Sequence, residues 1–128
     1  MSHITRSTGI LQNSLDVEIN AHIEVVNLDD ESHRVRVKVF DWGLAGAAGV
    51  PVQGPIATLL NFNDKLSPST RIALNADILA GHHYEVRVTH SKNESVMINV
   101  FGREGDAGNP FIEGNTVLDS EFVELEES

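Results

Sequence analysis

Six histidines are the first candidates for chemistry, because imidazole ligates metals and moves protons near neutral pH, and the chain has no cysteine to compete with them. His82 and His83 are adjacent, so on a strand their side chains leave opposite faces and cannot chelate one ion. His22 and His90 stand apart from any ligand set at metal-binding spacing. All four read as surface or edge histidines, and no metal is expected. Asp29-Asp30-Glu31 and the set Glu104, Asp106 and Asn109 gather the hard oxygens that calcium prefers. Neither has the spacing of a dedicated calcium loop, so both read as acidic turns.

Nucleophilic catalysis has less support. There is no cysteine, no G-x-S-x-G elbow and no serine in an activating context. The glycines from Gly43 to Gly54 and from Gly102 to Gly108 lack the G-K-[ST] ending of a phosphate loop. Nothing singles out two of the 19 acidic residues as a glycosidase pair. An enzyme is not expected, and neither a catalytic residue nor a cofactor is assigned. Trp42, the only tryptophan, stands in Asp41-Trp42-Gly43 before a glycine-rich loop. It is the candidate platform for a sugar or another ligand, beside the plainer role of plugging the end of a β-sandwich. Asn93-Glu94-Ser95 fits the N-glycosylation pattern and, without an export signal, reads as chance.

These side chains need a scaffold, and composition bounds it. A chain of 128 residues is one domain by size and buries roughly two-thirds of its unfolded surface. With no cysteine, no disulfide framework is possible. MSHITRSTGI lacks the apolar core of a signal peptide, and no apolar run reaches membrane-helix length, so no membrane insertion is expected and location is left open. The net charge of −10 repels polyanions and argues against a nucleic-acid partner, while serving solubility.

Period-two alternation dominates the chain. Leu15, Val17, Ile19, Ala21, Ile23 and Val25 form one series; Val35, Val37 and Val39 a second; Tyr84, Val86 and Val88 a third; Val96, Ile98 and Val100 a fourth. Each is one buried face of a strand. The expected fold is therefore all-β, a single antiparallel β-sandwich, immunoglobulin-like or jelly-roll, of about seven strands. Residues 1–14 read as a flexible N-terminal arm, 15–125 as the sandwich and 126–128 as an acidic C-terminal tail. Strands are expected near 15–26, 33–40, 56–62, 71–78, 83–90, 95–101 and 116–125. The first two are expected to form a hairpin pairing Ile23 with Val37 and Val25 with Val35. That register sets Glu24 against Arg36 and explains the basic series Arg34, Arg36, Lys38. Strands 83–90 and 95–101 are expected to form a second hairpin through Ser91-Lys92-Asn93, with Asn93 left-handed. In the last strand the alternation falters between Leu118 and Phe122, which predicts a bulge or burial on both faces.

The segments HRVRVKVFDW, HYEVRVTHSKNESVMINVFGRE and GNTVLDSEFVEL resemble those of uncharacterised small β proteins of spore-forming Firmicutes. In architecture the chain is similar to endospore appendage subunits, whose jelly-roll core carries a flexible N-terminal connector that docks into a neighbour. The resemblance implies a structural, self-assembling protein of the spore surface or of a fibre, a homo-oligomer or filament. Its connector would match residues 1–14 in position; the arm's own apolar side chains are Ile4, Ile10 and Leu11, and in strand addition to a neighbour's sheet Ile10 and Leu11 would supply register. Those connectors carry crosslinking cysteines and this one carries none, so covalent crosslinking is not implied. The alternative expectation is a small carbohydrate- or ligand-binding module using Trp42 and the loops 43–55 and 102–115.

Overall fold

A computed structural model describes residues 3–44, 46–91, 95–104 and 111–125. Among these the chain forms β1 (His3–Ser7), β2 (Leu11–Gln12), β3 (Ile19–Asn27), β4 (His33–Gly43) and β5 (Ala57–Leu66). There follow β6 (Thr70–Ile78), β7 (His83–Ser91), β8 (Val96–Arg103), β9 (Phe111–Val117), a 3-10 turn at Asp119–Glu121, and β10 (Val123–Leu125). Every pairing is antiparallel. One sheet has the order β10-β1-β7-β4-β5, with β2 also on β7; the other has the order β6-β3-β8-β9. The all-β sandwich expected from the alternation is therefore the fold.

The core lies between the sheets, and the alternating series build it. Ile19, Ala21, Ile23 and Val25 of β3 and Ile98 and Val100 of β8 are buried from one side. Val35, Val37 and Val39 of β4 and Tyr84, Val86 and Val88 of β7 meet them from the other. Most are β-branched, stiff at χ1 and suited to a pleated, half-buried surface.

Both expected hairpins are corrected. β3 pairs with β6 and β8, while β4 pairs with β5 and β7, so the segment between β3 and β4 crosses from one sheet to the other. The same is true of β7 and β8. Two strands facing each other across a core show the same period-two alternation as two strands side by side. Alternation therefore identifies the buried face and leaves the neighbour undetermined. Glu24 lies beside Ala73 and Asn99, and its carboxylate takes Arg71 at 3.3 Å instead of Arg36. Asn93 lies outside the described residues.

The N-terminal segment is also corrected. β1 is an inner strand, pairing with β7 on one side and β10 on the other, and β2 continues it along β7. Between them Thr8 donates its N–H to the Val86 carbonyl, and Val86 returns its N–H to the Thr8 hydroxyl, both at 3.0 Å. Sequence polarity concealed this strand because Ile4 shares its face with the charged Arg6, and the residue buried on the other face is the polar Ser7. The Arg6 guanidinium is held by Asp119 Oδ1 at 3.0 Å and His90 Nε2 at 3.1 Å, and lies over the Phe122 ring. The faltering last strand is two strands: β9 ends on β8, the 3-10 turn crosses, and β10 joins β1 in the other sheet.

Candidate functional site at the Trp42 end

β4 ends in a bulge. Asp41 stands opposite Tyr84 and Gly43 opposite His83, leaving Trp42 between them without a register partner on β7. Gly43 has φ +81°, a left-handed backbone that glycine adopts without strain. Asp41 fixes the turn: its Oδ1 accepts the Gly43 N–H at 2.7 Å and His82 Nδ1 at 2.9 Å. Its backbone carbonyl accepts the Ile56 N–H at 2.7 Å, which ties the far end of the following loop to this point.

Trp42 is aimed by Glu85. The indole N–H donates to Glu85 Oε1 at 3.0 Å, while Ser7 Oγ and Arg87 Nε donate to Oε2 at 2.5 and 2.7 Å. Burial pushes the Glu85 carboxyl up, but the hydrogen bonds from Arg87, Ser7 and Trp42 and the Arg87 charge outweigh it and hold the group below its ordinary value. Arg87 is itself seated 5.0 Å above the Phe40 ring. The carboxylate is thus fully engaged as the anchor of the tryptophan.

Against this frame the loop after β4 folds back and leaves an open cleft of about 340 Å3, lined by Ile10, Trp42, Leu44, Val50, Val52 and His83. Its aliphatic walls are wet: Leu44 is 65% exposed, Val50 59%, Ile10 51% and Val52 50%. Ile56, 65% exposed, flanks Gly43. The polar exceptions are His83, whose Nδ1 donates to the Gly43 carbonyl at 3.3 Å, and the indole N–H already committed to Glu85. Among the described residues of segment 102–115 none lines the cleft, and 105–110 lie outside them.

The other candidates scatter. Of the proposed connector side chains, Ile4 is half-buried in β1 opposite His90, Leu11 packs on the core, and Ile10 lines the cleft. His22 bonds Asn75 at 3.0 Å on the outer face of the four-stranded sheet. His90 is buried against Arg6 on the inner strand β7, which corrects its reading as a surface or edge histidine. His33 donates to Asp29 at 2.8 Å and holds that carboxyl below its ordinary value. Glu104 is exposed, and Asp106 and Asn109 lie outside the described residues. Among the described residues no three His, Asp or Glu side chains converge as a metal cage. Sequence reading missed Asp41 and Glu85, because their partners His82, Ser7 and Trp42 are distant in the chain. No family model matches the chain, and no curated protein or solved structure is found to be similar to it.

Proposed function

We propose that this domain is a non-enzymatic binding module that takes an apolar group of its ligand in the Trp42 cleft. The observation that supports it is the set of four aliphatic side chains, each half or more exposed, that line a concavity of about 340 Å3. Pockets for small ligands start at roughly that size, and apolar walls left wet are typical of interaction sites. A sugar is a poorer fit than an aliphatic or aromatic moiety, because it needs several converging polar groups. Here the indole N–H is already occupied and, among the described residues, His83 is the one other polar side chain in the lining.

Trp42 is the only tryptophan, so its fluorescence reports on this cleft alone. Titration with a series of n-alkyl alcohols should give a saturable change whose affinity rises about fourfold per added methylene, following about 0.8 kcal/mol for each buried CH2. Leu44→Asp and Val52→Asp alter exposed positions and should remove the response while leaving the fold intact. A linear, unsaturable response, or one unchanged in both variants, sinks the reading.

Self-association is the second reading, favoured by the edge strand β5. Among the described residues it pairs with β4 alone, and from Ala57 to Asn63 it carries no charged side chain to deter another strand. The contact would be strand addition at this edge, without the N-terminal segment. Size exclusion and negative-stain microscopy should then show large assemblies that Leu59→Lys disperses. A wild-type protein that runs as a monomer at high concentration excludes it.

A further inference from the structure

We propose a second binding site, for a small phosphate-class oxyanion, on the outer face of the six-stranded sheet between β4, β5 and β7. Its core is Arg34 and Arg36, two residues apart on β4 and so roughly 7 Å apart along one face. They line a concavity of about 210 Å3 with Asn63 of β5, Thr89 of β7 and His3 of β1.

The sheet assignment makes these cations conspicuous. A hairpin with β3 would have set Glu24 against Arg36, but Glu24 lies in the other sheet and is bonded to Arg71. On its own sheet Arg36 stands between the neutral Asn63 and Thr89. Arg34 stands opposite Lys65, and Lys38 opposite Arg87. Like charges directly opposite each other destabilise a sheet. Among the described residues Arg34, Arg36, Lys38 and Lys65 form no salt bridge. A chain with 19 acidic and nine basic residues therefore gathers four unneutralised cations and Arg87 on one face. The acidic side chain that shares this face on β7, Glu85, is committed to Arg87, Ser7 and Trp42.

The chemistry of the concavity is that of a donor cup. Each guanidinium presents a planar fork of N–H groups, which suits an oxyanion better than a point charge would. Arg34 is oriented by its bond to Asn63 Oδ1 at 3.3 Å, and Thr89 is set by its hydroxyl contact with Thr5 at 2.9 Å. Among the described residues no carboxylate lines the cup. Two forks from one strand with amide, hydroxyl and imidazole groups from three others suit the oxygens of a tetrahedral anion, whereas a carboxylate would satisfy one fork and leave the other idle.

Inorganic phosphate, titrated calorimetrically into the full chain at low ionic strength, is the test. Wild type should bind saturably, and Arg34→Gln or Arg36→Gln should weaken binding about tenfold or more, the loss expected for a hydrogen-bonded charge. Arg71→Gln removes an equal charge from the other sheet, where Arg71 is 71% exposed, and should leave phosphate affinity within about twofold. Leu44→Asp at the distant cleft should likewise leave it unchanged, which separates this site from the Trp42 reading. Absence of saturable binding, survival of binding in the Arg34→Gln/Arg36→Gln double variant, or an equal loss in Arg71→Gln overturns the proposal.

Discussion

Asn13 and Asn27 make the same set of hydrogen bonds at two separate corners of the sandwich. In each, Oδ1 accepts the N–H two residues on, from Leu15 or Asp29, at 3.0 Å. Each Nδ2 donates to the carbonyl four residues on, from Val17 or Glu31, at 2.9 and 2.8 Å. Each also reaches two consecutive carbonyls at a distant strand end: Ile78 and Leu79 at the end of β6 for Asn13, Leu66 and Ser67 at the end of β5 for Asn27. Both side chains are fully buried. Replacing either with alanine leaves several backbone groups without partners and should cost about 3 kcal/mol. Asn→Asp should cost more, since a carboxylate would face three carbonyl oxygens. Asn20→Ala, which loses an exposed 3.4 Å contact, is the control and should cost under about 0.5 kcal/mol. Denaturant melts of the five variants check the order.

Those asparagines show where sequence reading stops. Asn27 is legible as a turn residue, and Asn13 as polar chain, because asparagine caps local backbone readily. Their long-range halves are invisible, since nothing in the residues around 13 or 27 names Ile78 or Leu66. The same limit explains the strands. Val35, Val37 and Val39 are buried on the face that alternation assigns them, and Arg36 is exposed. The neighbours of β4 are β5 and β7, a choice set by which sheet each connection enters. At the Trp42 end, the glycine-rich loop and the lone tryptophan are readable as a candidate site. The Glu85 carboxylate that aims the ring is not, because it sits within an ordinary alternating strand.

Deletion of residues 3–13 distinguishes an integral N-terminal strand from a dispensable arm. The deletion removes β1, β2 and Asn13, and exposes the edges of β7 and β10. It should abolish the cooperative thermal transition. The milder Arg6→Ala leaves Asp119 and His90 without their shared partner and should cost about 3 kcal/mol. A truncated chain with the wild-type melting temperature would show that the strand contributes nothing to the fold.

Gly102 holds the two sheets together at the Tyr84 position by lacking a side chain. A Cβ there would come within 2.5 Å of Asn115 Cβ and 3.1 Å of the Tyr84 hydroxyl. That hydroxyl donates to Asn115 Oδ1, and Asn115 Nδ2 donates to the Gln12 carbonyl at 3.0 Å. Gly102→Ala should therefore cost about 2 kcal/mol or more through overpacking. Burial raises the Tyr84 phenol above its ordinary value of 10.0, and Tyr84 is the only tyrosine, so ultraviolet titration reads it directly. Its neutral form stabilises the folded state fully below pH 10.0, and that contribution falls as pH rises above it. Phenolate should appear at lower pH in Gly102→Ala than in wild type, and identical titrations would mean that the Tyr84 packing survives the added methyl.

Glu85 should make the Trp42 end sensitive to acid. Its carboxyl is held below the ordinary value of 4.5 in the folded chain, because Arg87, Ser7 and Trp42 donate to the charged form more than burial opposes it. The unfolded chain therefore takes up the proton first as pH falls. The stabilisation from the ionised group is complete well above pH 4.5 and is lost as pH falls through the lower folded value. Glu85→Gln keeps the shape, cannot ionise, and lacks this dependence. The difference in melting temperature between wild type and Glu85→Gln should be constant from neutrality to about pH 5.5 and narrow below 4.5. Trp42 emission should shift over the same acid range in wild type, since the indole N–H is bonded to that carboxylate. A gap between the two proteins that stays constant down to pH 3 would mean that Glu85 titrates alike in the folded and unfolded chains, and that its donors leave its charged form unstabilised.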